Sequence, residues 1–310
     1  MELRGIYPVL CTPFNSDHSI DYESLDRLVD LQLAEDVHGV VLFGLASEGF
    51  KLTETERETM TRHVSRYVNG RVPVVAGAEH AGVVGAATLA ARLEASGADA
   101  IMSMPPSFVK PGTDDLVAYY KAIDQATSVP IIIQDAPNST GVVMSAELLV
   151  EIAEATQHVR YAKIEAPPPA PKMAKVLDLS GGALQVFGGM GGRAFNQELR
   201  VGICGTMIGC AYPDAFVDIW RLAQAGDTEE AEEKFLRLLP ILAFGEGLDT
   251  FIWGQKRLLS RYGVFGTDVL RRPSTPVDPI LKNEWDLLAD RFEFALAASR
   301  STQDRAQSPN

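Results

Sequence analysis

Lys163 and Glu165 stand two positions apart in the stretch RYAKIEAPPP, residues 160–169. In an extended segment, residues i and i+2 point to one face, so an ammonium and a carboxylate share a face while Ile164 takes the other. A lysine in a low-dielectric pocket loses affinity for its proton, because burial disfavours the charged form. Its neutral amine can then attack a carbonyl and form a Schiff base. A carboxyl beside it, its own pKa raised by burial, suits general acid/base work. The same two residues also fit a structural ion pair, since a buried lysine is usually paired. The local sequence leaves both readings open.

The elements around this pair narrow where it must sit. Short apolar runs recur, each followed by a segment of helical length: IYPVL from Ile6, GVVLFG from Gly39, VPVVAG from Val72 and ADAIMSM from Ala98. VPIIIQ from Val129, RYAKIE from Arg160, LQVFGG from Leu184 and ICGTMIG from Ile203 complete a set of eight. Continuous apolar runs alternating with helices indicate parallel strands buried on both faces. Between them, Leu25, Leu28, Val29 and Leu33 have helical spacing. Thr53 followed by Glu56 reads as a capping box, and Ser145 as an N-cap.

Eight βα units in about 220 residues is the arithmetic of a (β/α)8 TIM barrel. An open doubly wound sheet would carry a Gly-rich phosphate fingerprint after its first strand, and CTPFNSDHSID is not one. The outward face of a barrel strand packs on helices and prefers Ile164. Lys163 and Glu165 then point inward near the C-terminal end of strand six, where barrel enzymes keep their chemistry. Beyond about residue 226 the pattern is helical only. The expected organisation is therefore a barrel over 1–226, a C-terminal helical bundle over 227–300 and a disordered polar tail over 301–310.

Composition excludes several classes. The 310 residues are 46% hydrophobic and 22% charged, with a net charge of −13, which disfavours nucleic acid and anionic membranes as partners. Cys11, Cys204 and Cys210 form no CxxC pair and no His/Cys ligand spacing, so neither a disulfide framework nor a metal is expected. No apolar run approaches the roughly 20 residues of a membrane helix. MELRGIYPVL has no long apolar stretch, so a secretory signal is not expected and the reading is cytoplasmic.

Several strand-end motifs, in order, resemble the dihydrodipicolinate synthase / N-acetylneuraminate lyase family. They are PVLCTPF, GVVLFGLASEGFKLTETER, PPSFVKP, PIIIQDAPNSTG and AKIEA, and the resemblance spans nearly the whole chain. It implies a (β/α)8 barrel with a C-terminal helical extension, Lys163 as the Schiff-base former and a homo-oligomer, tetramer or dimer. It also marks departures. The family's two relay tyrosines match Phe108 and Gln134, the second threonine of its loop matches Ala46, and an arginine that holds a second carboxylate matches Ser139. These losses argue against dihydrodipicolinate synthesis.

Glu165 is then the candidate to move protons, with Ser47 as a further hydroxyl. Asp135 and Glu48 are read as backbone-holding residues, Glu48 within its own loop. The combination of SE-x-F, MPP, QDAP and KIEAP resembles the subgroup containing L-2-keto-3-deoxyarabonate dehydratase. That implies dehydration of a 2-keto-3-deoxy sugar acid. The substrate carboxylate is expected on the backbone N–H groups of Ala46 and Ser47. Lys163 would condense with C2, Glu165 would exchange protons and Gln134 would position hydroxyls. Phe108, Met207 and Gly189 are counted with the substrate-lining residues. No metal or organic cofactor is called for, because the lysine supplies the electron sink. A pyruvate-dependent aldolase of the same family and a non-catalytic keto-acid binder are the alternatives. His80, Trp220 and Phe216 are read as loop and core residues, and FGGMGG as a site-lining turn without a P-loop lysine.

Overall fold

The computed structural model describes residues 2–244 and 247–306, with 293–306 as helical backbone. Its strands are β1 (Gly5–Val9), β2 (Val40–Leu42), β3 (Val74–Gly77) and β4 (Ala100–Ser103). They continue with β5 (Ile131–Asp135), β6 (Val159–Ile164), β7 (Gln185–Gly188) and β8 (Gly205–Gly209). They pair in chain order, all parallel, and β8 returns to β1 to close the barrel. Every apolar run singled out in the sequence contributes one strand.

The helices are α1 (Tyr22–Ala34), α2 (Glu54–Val68), α3 (Val83–Ala95), α4 (Thr113–Ala126), α5 (Pro137–Thr140) and α6 (Ala146–Glu154). They continue with α7 (Pro169–Leu179), α8 (Phe195–Val201), α9 (Pro213–Ala225), α10 (Thr228–Phe244), α11 (Leu248–Arg261) and α12 (Pro279–Ala306). Local chemistry explains their starts. Thr53 accepts from the Glu56 N–H while the Glu56 carboxylate accepts from the Thr53 N–H, so two orphan donors of α2 are satisfied reciprocally. Ser145 caps α6 through the Leu148 N–H. The last proline of the PPP run starts α7 at a position where a missing N–H costs nothing. The polar composition from residue 301 suggested a disordered tail; helix α12 instead runs on to Ala306, and 307–310 lie outside the described residues.

Strand alternation sorts the core into two layers. Inside the barrel, Tyr7, Val9, Val41, Val75, Met102, Ile132, Tyr161 and Phe187 pack together. Outside, Ile6, Val40, Ile101, Ile133, Ala162 and Ile164 pack against the helices. The inner aromatic rings close the barrel below its C-terminal end: Phe187 meets Tyr7 edge-on at 5.3 Å and Tyr161 at 5.7 Å. Tyr161 Oη also accepts the Leu3 N–H at 2.9 Å, which seals the N-terminal end. The lysine of strand six therefore stands on an apolar, water-excluding floor.

The C-terminal helices are not a separate body. Helix α10 packs on α9 and α12, and α11 lies against the 3-10 turn Leu45–Ser47 that follows β2. No helix among the described residues is long and apolar enough to cross a membrane.

Candidate active site

A cavity of about 210 Å³ opens at the C-terminal end of the barrel. Pockets for drug-sized ligands span roughly 300–1,000 Å³, so this one selects for a small molecule. Lys163 and Glu165 line it, together with Ala46, Ser139, Met207 and Arg193. Lysine and arginine thus face one carboxylate inside a chain whose net charge is −13, a local inversion that suits an anionic ligand.

Lys163 sits on β6, opposite Gln134 of β5 and Phe187 of β7. Its side chain is 4% exposed, and its ammonium lies 3.5 Å from Glu165 Oε1. That is a long ion pair, and no other partner for Lys163 Nζ exists among the described residues. Glu165, one step beyond the strand, keeps the ladder going through its N–H to the Asp135 carbonyl at 2.8 Å. Its carboxylate is held from two sides. Gln134 Nε2 donates to Oε2 at 2.7 Å, and the Met190 N–H donates to Oε1 at 2.9 Å. Gly189 makes room for it, since a Cβ there would stand 2.7 Å from Glu165 Oε1.

The remaining residues singled out in the sequence divide clearly. Ala46 and Met207 line the cavity. Gln134 is buried behind Glu165 and acts through it. Ser47 is fully buried, its hydroxyl has no hydrogen-bond partner, and its N–H donates to the Gly44 carbonyl at 2.9 Å. The turn therefore consumes the Ser47 donor, and Ala46 is left with the N–H that a short helical turn does not satisfy internally. This corrects the expectation that both N–H groups point at the ligand. Phe108 is also misplaced by the sequence reading: it is 90% exposed on the loop before α4 and does not line the cavity. His80 turns back on its own loop, accepting the Gly82 N–H at 3.0 Å. Trp220 and Phe216 are buried in the outer core.

Two charged residues prove to be anchors. Asp135 binds Lys172 of α7; burial raises its pKa, the Lys172 charge opposes that rise, and the Glu165 charge adds to it. Glu48, expected to bond within its own loop, reaches further. It meets Lys51 at 2.9 Å, the fully buried Lys256 of α11 at 2.5 Å and the Arg271 N–H at 3.0 Å. The turn bearing Ala46 is thereby bolted to the C-terminal segment. Burial lowers the Lys256 pKa, and the Glu48 carboxylate works against that fall.

Sequence reasoning missed Leu45, Asn138, Met190, Arg193 and Phe251, all of which line the cavity. FGGMGG marked the loop that carries Met190, but nothing marked Arg193 or Phe251. Phe251 arrives from α11, whose approach to the mouth is a tertiary fact with no local signal.

Residues 2–289 match the Dihydrodipicolinate synthetase family. The chain belongs to that family. It is therefore a lyase of the Schiff-base kind. Among curated relatives, it is 30% identical over 295 residues to an L-2-keto-3-deoxyarabonate dehydratase of Azospirillum brasilense, with 94% of each chain covered. It is 34% identical over 286 residues to a 4-hydroxy-tetrahydrodipicolinate synthase of Parabacteroides distasonis, covering 89% of this chain and 92% of that one. Among solved structures, dihydrodipicolinate synthase from Rhodopseudomonas palustris superposes with a TM-score of 0.86 at 26% identity, covering 93% and 97% of the two chains. The synthase from Aquifex aeolicus gives 0.88 at 23% identity, covering 94% and 98%, a likeness that bears on the fold alone.

Proposed function

We propose that the protein dehydrates a 2-keto-3-deoxy sugar acid of the L-2-keto-3-deoxyarabonate type, with Lys163 as the Schiff-base lysine. One observation carries this reading. Among the described residues lining the cavity, Glu165 is the only carboxyl, and no phenol, imidazole or thiol accompanies it. Proton transfer beside Lys163 falls to Glu165, whose Oε1 lies 3.5 Å from the amine.

The substrate carboxylate docks toward the Ala46 N–H. The Lys163 amine attacks C2 and water leaves, giving a protonated imine that acidifies the C3 hydrogens. Glu165 takes one C3 proton, and the electron pair forms the enamine. The enamine pushes out the C4 hydroxyl, and the proton held by Glu165 leaves with it as water. The resulting unsaturated imine tautomerises and is hydrolysed to a semialdehyde of the keto acid, freeing Lys163. The net change is loss of one water, with no redox step. Gln134 keeps Glu165 Oε2 occupied, so Oε1 is the oxygen facing the reaction.

An aldolase would share the enamine but break C3–C4, which needs a base on the C4 hydroxyl. Besides Lys163, Glu165 and Arg193, the polar side chains among the described lining residues are Ser139 and Asn138, and neither is a base at neutral pH. A homo-oligomer in the cytoplasm belongs to the same reading: Phe108 and Val109, 90% and 70% exposed, offer apolar surface for a second copy to cover. The test offers 2-keto-3-deoxy pentonates and hexonates of both C4 configurations and analyses products. A semialdehyde from a pentonate, or the corresponding 5-ketone from a hexonate, without pyruvate supports the dehydratase. Release of pyruvate selects the aldolase, and imine formation without any product selects a binder.

A further inference from the structure

Strand β7 ends at Gly188, and Gly189 follows it; the two glycines are pinned between two carboxyl groups. Alternation turns position 189 into the barrel and position 188 out toward the helices. A Cβ on Gly189 would stand 2.7 Å from Glu165 Oε1, and one on Gly188 would stand 1.9 Å from Glu198 Oε2. Each glycine is required by a glutamate, one on each side of the barrel wall.

Glu198 comes from α8 and is fully buried, as is Thr206 of β8, whose hydroxyl would lie 2.8 Å from the same Gly188 Cβ. Neither Glu198 oxygen nor the Thr206 hydroxyl has a partner in hydrogen-bond geometry. The cations nearby are engaged elsewhere. Arg200 of α8 pairs with Glu232 of α10, and Arg193 donates to the Leu242 carbonyl. On α7, Lys172 binds Asp135 and Lys175 binds Glu147; on α10, Lys234 binds Asp218. A buried carboxylate without a paired cation is costly, whereas the neutral acid costs far less. Burial accordingly raises the Glu198 pKa to about 8, with the Glu165 charge adding to the rise and the Gly189 N–H, Thr206 hydroxyl and Lys163 ammonium opposing it.

We infer that Glu198 is a positioning residue for Glu165: as an uncharged acid it supports the Gly188–Gly189 step from outside the barrel and so fixes the Met190 N–H that holds Glu165 beside Lys163. The inference rests on the catalytic reading of Glu165. Ionisation of Glu198 works against this arrangement, because a carboxylate demands donors and draws the Gly189 N–H outward.

The experiment measures kcat and KM against pH for the wild type, Glu198→Gln, Glu198→Leu and Glu165→Gln, with folding checked by circular dichroism. Wild-type kcat should fall through a group near pH 8. Glu198→Gln, whose amide mimics the neutral acid, should lose that alkaline limb and keep kcat within about threefold at neutral pH. Glu198→Leu should lower kcat about tenfold or more while KM moves less than about twofold. An alkaline limb that persists in Glu198→Gln, a wild type with no such limb, or a Glu198→Leu enzyme that performs like the wild type would overturn the inference. Should Glu198→Leu not fold, the Glu198→Gln profile decides alone. Full activity in Glu165→Gln would instead sink the catalytic reading of Glu165, whatever the Glu198 variants do.

Discussion

Two buried lysine–glutamate pairs stand within one barrel and differ in every respect that matters for chemistry. Lys256 and Glu48 are fully buried, 2.5 Å apart, and saturated. Lys256 also donates to the Val269 carbonyl at 2.8 Å and lies 4.4 Å from the Phe14 ring, while Glu48 binds Lys51 and the Arg271 N–H. Lys163 and Glu165 are 3.5 Å apart beside a cavity, and the lysine has no other partner among the described residues. A saturated pair fixes structure, since each charge is compensated and neither can move. An under-coordinated lysine facing a held carboxylate is available for reaction. The saturated pair is what the structural reading of Lys163 would look like, and the under-coordinated pair is the arrangement that the proposed Schiff-base role requires.

The comparison can be broken by exchanging the consequences. The largest effect belongs to Lys163→Met, which should lower turnover by about 10⁴-fold or more, because the covalent route is lost. Its thermal and denaturant stability should stay within about 1 kcal/mol of the wild type, since no saturated pair is broken. A strongly destabilised Lys163→Met protein would reclassify this lysine as structural. Next, Glu165→Gln should reduce kcat by about 10²–10⁴-fold while still allowing an adduct with pyruvate, because imine formation precedes the C3 proton transfer.

Lys256→Met should do the reverse. It leaves Glu48 without its main cation and should cost about 3 kcal/mol in urea unfolding, at the low end for a broken buried pair because Lys51 remains. The gap between wild type and Glu198→Gln depends on pH. The folded-state pKa of Glu198 is raised to about 8, so between the unfolded value and that point the folded chain binds the extra proton. Wild-type stability relative to Glu198→Gln should therefore be fully present below the ordinary carboxyl range, decline as pH rises to about 8, and level off beyond. Smallest of all, Thr53→Ala removes the capping box of α2 and should cost about 1 kcal/mol with no change in kcat.

What could be read from the chain follows the range of the interactions. The eight strands were legible because each is a buried run between helix signals, and the capping box at Thr53 because its partners are three residues apart. Lys163 and Glu165 were legible because strand alternation is local. The Glu48–Lys256 pair was not, because its members are 208 positions apart and Glu48 was expected to bond only within its own loop. Glu198 is hidden for the same reason: FNQELRV reads as an amphipathic turn, and only packing against Gly188 removes its carboxyl from water. Phe108 was misjudged because a loop between a strand and a helix carries no periodicity to say which way a ring points. The Ser47 N–H was misjudged because it closes a 3-10 turn on the Gly44 carbonyl, and a single short turn leaves no periodicity in the sequence.

The central claim is that Lys163 becomes covalently bonded to substrate. The direct measurement is borohydride reduction in the presence of pyruvate or a 2-keto-3-deoxy pentonate, followed by intact and peptide mass spectrometry of the wild type and Lys163→Ala. The account predicts one reduced adduct per chain, on the peptide that contains Lys163, and none in the variant. A wild type that stays unmodified with every keto acid, or an adduct that survives in Lys163→Ala, would contradict it.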